Sequence, residues 1–514
     1  MKFAMETRAT SCFRLIVWNN GGMNRREFLK IASLTAGASL AGSKILRGDS
    51  PSATAATHRR DTMIGMPIST APLGQPGFEQ MLDDMQRRAG VNALFPFIYT
   101  HEGHRAGIET PGFRGGNFAI PHMQYYKDSG MTYEDMRAPE AGEMDLLDRA
   151  LTLGHRRGIK TFAWVIEDNN RPRIPHWEPM YEIDIHGRRS EKNPAGRCFN
   201  NPLYRALTLG LMEDYTRSYP IDGIMWGSER QSGVLDVLNI SQSSRVDPSR
   251  TTCFCEFCVK KGRDQGIDAE RARQGFLAFE KFILANRAGQ RPRDGNFTGF
   301  WRILLNHPEL LAWENLWVRS RHEFQADIYR TVKAINPALP IGWHIWSNRS
   351  FSPFQRAEEN YADMAPFSDF LRPALYNNCA GERFRNFAKG THDSLFGDIP
   401  PAEALNLFCQ QLGYKEAPYD RVAGTGLSAS YVEIETRNAV DGVAPAPTKI
   451  WPGIDIDVPV SAGSSTCTPE GVKAAVRAVF HGGGHGILLS RNYVEMKPEH
   501  LSAAGDALRE LGLA

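Results

Sequence analysis

The stretch Ser218-Tyr219-Pro220-Ile221-Asp222-Gly223-Ile224-Met225-Trp226-Gly227-Ser228-Glu229-Arg230 decides how this chain is read. A helix end gives way to a tight Pro/Asp/Gly turn, then to a short apolar strand that finishes in an acid beside a base. The same unit recurs outward from it. Residues 143–155 read as an amphipathic helix, Gly158 as a turn, and 160–166 as a strand ending at Glu167-Asp168. A helix over 204–215 precedes the opening stretch. A third unit runs from a helix over 324–335 through Asn336-Pro337 to a strand over 341–346, and a fourth from 472–480 through Gly482-Gly483-Gly484 to 486–490. Segments 93–99, 370–376 and 450–458 are further strands. An eighth is sought near 63–68 or in the stretch before Glu143.

Alternating helices and apolar strands are the pattern of a parallel sheet with helical crossovers. No glycine-rich phosphate loop opens a helix after a strand, which argues against an open nucleotide-binding sheet. Polar side chains also stand at the ends of many strands, where a ring gathers them and a linear sheet spreads them. The expectation is an α/β fold, a closed (β/α)8 TIM barrel over residues 57–514, with long insertions around 100–140, 168–200 and 231–300 that wall a cleft.

The 514 residues are 42% hydrophobic and 23% charged, the balance of a chain with a real core, and their net charge of +2 gives no basic block for nucleic acid. Ten Trp, fifteen Tyr and twenty-seven Phe are ample for aromatic faces in a carbohydrate cleft. Met23-Asn24-Arg25-Arg26-Glu27-Phe28-Leu29-Lys30 closely resembles the twin-arginine export signature. A short apolar stretch over 31–41 and small residues at Ser52-Ala53-Thr54-Ala55-Ala56 complete a signal peptide over 23–56. Residues 1–22 read as an over-long start. The apolar stretch is too short to span a bilayer stably, so the mature protein is expected to be exported to the periplasm or beyond, without a membrane span.

In a parallel barrel the C-terminal strand ends form the active-site rim. Glu229 stands there, and glycoside cleavage needs two facing carboxyl groups, one to give a proton and one to attack or to activate water. Glu229 is the candidate acid; Gly227 on the same face leaves room for a ligand. The bland alternative is an ion pair with Arg230 or with an arginine of a neighbouring loop. Asp455 and Asp457 share a face of a late strand and are the candidate second carboxylates, with a loop cap or a salt bridge to Arg491 as their structural alternative. Glu167 and Asp168 form a rival pair, and Glu433 and Glu435 rank lower. Trp226, Arg230, His344, Trp346, Asn348, Tyr376, Asn377, Asn378, Arg491 and Asn492 are candidate sugar contacts, since amides and imidazoles satisfy hydroxyls and aromatic faces accept the apolar side of a sugar ring.

Cys253-Phe254-Cys255-Glu256-Phe257-Cys258 places three thiols within six residues. They suit a structural Zn²⁺ with a fourth ligand such as Cys198 or a histidine, or else a disulfide in an oxidising compartment. All-sulfur ligation would brace the loop near Glu229 rather than activate water. Cys12, Cys379, Cys409 and Cys467 are scattered and look like buried or leader cysteines. No organic cofactor is expected.

Residues 222–230, the cysteine cluster and Gly266-Ile267-Asp268 together resemble a glycoside-hydrolase-like TIM-barrel family of exported bacterial proteins. More distantly, they are similar to the glycoside hydrolase family 42 β-galactosidases. The likeness is strongest over 140–350. It implies an acid/base at the end of the fourth strand and a nucleophile at the end of the seventh, and Glu229 is the residue that carries over. The β-galactosidases place Asn before that Glu where Ser228 stands here, and related barrels have Asp where Gly227 stands. The expectation is an exported hydrolase of an oligo- or polysaccharide; the alternative is a carbohydrate-binding or scaffold barrel that has lost the second carboxylate.

Overall fold

Every residue of Met63–Ile68 is buried, and this segment is the eighth strand. The computed structural model describes residues 62–167, 175–189, 196–238, 247–460 and 467–514. The signal-peptide stretch 23–56 and Asp168 lie outside them. The barrel strands are β1 Met63–Ile68, β2 Ala93–Pro96, β3 Lys160–Glu167, β4 Gly223–Ser228, β5 Ile341–Ile345, β6 Phe370–Leu375, β7 Gly453–Asp455 and β8 Gly486–Ser490. Each runs parallel to its neighbours. β2 meets β3 at Ala93–Lys160 and β8 returns to β1 at Met63–Gly486, which closes the ring. The fold is a (β/α)8 TIM barrel.

Several helices begin where a side chain satisfies their free N–H groups. Asp145 accepts from the backbone of Leu147 and Asp148 and starts the helix Leu146–His155, three residues later than the sequence pattern places it. Asn201 caps Pro202–Ser218, with proline in the first turn, and Thr468 caps Pro469–His481. The turn before β4 is held at its acid: Asp222 accepts from Thr161 N and from His155 Nε2, both at 2.7 Å. The insertion after β4 is largely helical rather than looped, with helices Glu256–Asp264, Ala269–Arg287 and Asn296–Asn306. Among the described residues no helix is long and apolar enough to cross a membrane.

Alternate residues of each strand point into the barrel. Phe95, Phe162, Trp164, Met225, Phe370, Trp451 and Leu488 fill it, with Phe95 stacked on Phe162 at 4.7 Å and Phe370 on Trp451 at 4.2 Å. The ring tolerates such bulk because β4 offers glycine at its inward positions. A Cβ on Gly223 would sit 2.2 Å from the Phe162 ring. One on Gly227 would sit 2.8 Å from His344 Cβ. The space beneath Glu229 is therefore filled by the imidazole of the neighbouring strand, paired in register at Gly227–His344, and is not left for a ligand.

The same alternation moves three candidate site residues out of the barrel. Trp226 points outward and packs edge-on against Phe324 and Trp343, at 5.9 and 6.0 Å. Glu167 also faces out, accepting from Tyr204 OH at 2.9 Å and pairing with Arg230 at 3.1 Å. Arg230 pairs further with Glu182 at 3.1 Å and lies over the Phe199 ring. These three residues join strands to the surrounding layer and do not reach the cleft. Gly227→Ala is expected to cost about 1–3 kcal/mol by overpacking a backbone-anchored neighbour, read as a loss of denaturation midpoint at unchanged m-value.

Candidate active site

Over the strand ends lies a small, partly open cavity. Glu229, His344, Trp346, Tyr376, Arg491 and Asn492 line it, as expected, together with Phe97, His104, Arg105, Trp164, Arg383 and Glu495. Glu229 is about a quarter exposed, at 25%, so a ligand can reach its carboxylate.

A chain of hydrogen bonds fixes the state of that carboxylate. Arg372, on the inward face of β6 and 0% exposed, donates to His344 Nδ1 at 2.9 Å, to Tyr376 OH at 2.7 Å and to Ser490 Oγ. A guanidinium can only donate, so Nδ1 must accept and the imidazole proton sits on Nε2. That proton is given to Glu229 Oε1 at 2.9 Å. Arg105 donates to Glu229 Oε2 at 3.0 Å while also pairing with Glu102. Burial works against the charge on Glu229. The Arg105 guanidinium, the His344 hydrogen bond and the more distant Arg383 outweigh it, and the carboxyl is held well below its ordinary range. Burial takes His344 down to about 4 against the pull of Glu229, with the Arg372 charge adding to the fall. The resting pair is thus a neutral imidazole and an ionised carboxylate, the opposite of what a proton donor at that position requires.

The late-strand acids are not among the residues that line the cavity. Asp455 is buried and accepts from Cys379 N at 2.8 Å and Val458 N at 2.9 Å, which ties the end of β7 to the helix after β6. Asp457 accepts from Lys497 N and His500 Nδ1, at 2.9 and 2.8 Å. Both satisfy local backbone or a neighbouring helix, the loop-cap reading of these residues. Glu435 is taken by Arg356 and Tyr414. Asn348 is fully buried and Asn377 and Asn378 are buried around Asp455, so none of these amides lines the cavity. Asn492 lines it but spends its side-chain oxygen on Ser69 N at 3.0 Å. Among the described residues the cavity's second carboxyl group is Glu495, held by Arg491 through two parallel hydrogen bonds at 3.0 and 2.7 Å.

Sequence reasoning did not find Arg105, Arg372, Arg383 or Glu495. Arg372 had a signal, a charge at an inward position of an otherwise apolar strand, and Glu495 had a weaker one, four residues after Arg491. Arg105 in a loop helix and Arg383 in a polar helix had none.

Away from the cavity, Cys198, Cys253, Cys255 and Cys258 converge, all buried, with their sulfurs within 4.8 Å of one another. Cys198 and Cys258 sulfurs are 3.4 Å apart and Cys255 to Cys198 is 3.5 Å. Those separations exceed a disulfide bond of about 2.05 Å and approach the ~3.8 Å edge of a tetrahedral thiolate site with metal–sulfur bonds of about 2.3 Å. Asn200 donates to two of the sulfurs, from N to Cys198 and from Nδ2 to Cys258, each at 3.4 Å. The four cysteines form a site able to hold a metal.

No family model and no curated protein matches the sequence. In fold, the chain is similar to the β-galactosidase of the psychrophilic Marinomonas ef1, at 11% identity and a TM-score of 0.51, over 88% of this chain and 61% of that one. The β-galactosidase of the Antarctic haloarchaeon Halorubrum lacusprofundi matches at 14% identity and a TM-score of 0.48, over 87% and 58%. The chain spans about three-fifths of the length of these two proteins. The likeness is one of fold, the TIM barrel.

The His344 shift carries a sign. Between about pH 4 and 6.5 the unfolded chain binds a proton that the folded imidazole refuses, so stability rises with pH across that window. The depressed Glu229 adds in the same direction below its unfolded value. The wild-type denaturation midpoint is expected to climb from pH 4 to 6.5, by up to about 3 kcal/mol from His344, and His344→Gln to flatten that climb.

Proposed function

We propose that this cavity binds and cleaves a glycan, with Glu229 as its ionised carboxylate. The observation that carries the reading is a reachable carboxylate at the end of the fourth strand, kept charged by Arg105 and by a histidine of fixed tautomer. In glycosidic cleavage a charged carboxylate attacks the anomeric carbon or takes a proton from water. Glu229 suits those roles and not the proton-donating one. Glu495 is the other carboxyl group among the described lining residues and therefore the candidate partner. Trp346 and Tyr376 offer faces to a sugar ring. A second reading, a glycan-binding barrel without turnover, is favoured by one observation: both carboxylates among the described lining residues are engaged by arginines, and Asp455 and Asp457 are taken up by backbone and by His500 outside the lining. Glu229→Gln is expected to lower turnover of a cleaved oligosaccharide by at least about 100-fold while retaining its binding. Full turnover by the variant would remove the role, and binding by the wild type with no cleavage across an oligosaccharide panel would establish the second reading.

The cysteine site would hold a structural Zn²⁺, joining the segment before helix Pro202–Ser218 to the loop after β4. One zinc per chain is expected by elemental analysis. Cobalt substitution should give the intense sulfur-to-metal absorption of a thiolate site, and Cys258→Ser should lose metal and thermal stability together. The twin-arginine stretch Met23–Lys30 supports export by the twin-arginine machinery to the periplasm or outside the cell, with a folded and already metallated chain as cargo.

A further inference from the structure

Among the described residues that line the cavity, guanidinium groups outnumber carboxylates. The guanidinium groups are Arg105, Arg383 and Arg491, and the carboxylates are Glu229 and Glu495. Arg105 is paired with Glu229, and with Glu102 behind it. Arg491 is paired with Glu495. Arg383 is left over. It projects from the helix Asn377–Ser394, donates to Ser347 Oγ at 3.2 Å and lies 5.7 Å from the centre of the Tyr376 ring. Among the described residues no carboxylate pairs with it.

Behind the lining, Glu102 pairs with Arg105 and the buried Asp455 lies in the field of Arg383, but neither carboxylate is at ion-pair distance from Arg383. His104 is held down to about 4 by burial and by Arg105, and His344 is neutral for the reasons given, so neither changes the balance near neutral pH. Arg372, directly beneath His344, adds a further buried cation whose partners are an imidazole and two hydroxyls. A partly enclosed cavity with low-dielectric walls concentrates the field of such a charge and draws an anion into it. Arginine is also the side chain whose planar fork matches a carboxylate or an oxyanion in two-point contact. Ser347 and Tyr376 hold that fork against the rigid end of β6, so little freedom is lost when a ligand arrives.

We propose that the cavity takes a glycan bearing an anionic substituent, a uronic carboxylate or a sulfate ester, and that Arg383 with Arg491 forms the subsite for that group. The proposal rests on the reading of the cavity as a glycan site and names the class of glycan. An acidic ring would supply the counter-ion that Arg383 lacks, leaving Glu229 free of competition for Arg105. A neutral sugar would offer Arg383 only hydroxyl groups, with no charge of its own at ion-pair distance.

The test is binding calorimetry on the full-length protein with paired probes. One pair is trigalacturonate and its methyl ester; the other is a sulfated galactan oligosaccharide and its desulfated form. The charged member of one pair is expected to bind at least tenfold more tightly than its neutral partner, with an advantage that shrinks as salt rises. Which pair shows it identifies the anion. Arg383→Gln should bring the charged probe down to the affinity of the neutral one, and Arg383→Lys should restore part of the difference, with unchanged circular dichroism showing that both variants fold. If charged and neutral members bind alike, or Arg383→Gln keeps the preference, the anionic subsite is refuted while the glycan reading stands. If no member of either pair binds, both are overturned.

Discussion

Arg372 enters the barrel from β6 with its guanidinium wholly out of water and only neutral groups in contact with it, and the rest of the site follows from that burial. An isolated charge in such a place is very costly. One imidazole away stands the carboxylate of Glu229. His344 joins the two, accepting from the arginine on one nitrogen and donating to the glutamate with the other. The arginine therefore sets the tautomer, the tautomer sets the donor, and the donor helps keep Glu229 ionised. Arg105 completes the chain from the opposite side. The glycine at 227 is part of the same device, because any larger residue there would push the imidazole out of line.

That arrangement gives the cleft a definite chemical character. Its central carboxylate is an anion before any ligand arrives, its two histidines are neutral, and its wall is richer in guanidinium than in carboxylate. Three of the acids that stand at strand ends serve the scaffold instead. Glu167, with Arg230 and Glu182, welds β3 and the segment after β4 to the surrounding layer, while Asp455 and Asp457 bind backbone and helix behind β7. Glu229 and Arg230 are neighbours in sequence, yet one faces the cleft and the other the helices, since successive strand residues point to opposite sides. The cysteine cluster acts further out. It brings the segment that leads into helix Pro202–Ser218 beside the loop leaving β4, where a bound metal would join the two.

Periodicity and turn residues determined the barrel from the sequence alone. Seven strands stood out as short apolar runs after Gly or Pro turns, and ring closure followed from polar residues recurring at their ends. β1 was harder because Met63–Ile68 is short, contains Gly and Pro, and is not preceded by a described helix. Glu229, His344, Trp346, Tyr376, Arg491 and Asn492 were also legible, because a residue at the end of an inward-facing strand position, or just after it, reaches the rim. The convergence of Cys198 with Cys253, Cys255 and Cys258 was legible as a possibility from spacing and thiol chemistry.

The tertiary structure alone decided which charges meet. Strand alternation near a strand end depends on where pairing stops, so Asp455 and Asp457 took their partners from the helix after β6 and from Lys497 and His500, contacts between residues 40 or more positions apart. Arg105 and Arg383 come from a loop helix and a crossover helix, whose side chains reach the cavity only once the ring is closed. No local pattern marks such a residue, because what gives it a role is the field of groups brought to it by folding. The sequence determined the ring and its rim; the ionised state of Glu229 and the excess of positive charge beside it belong to the folded arrangement.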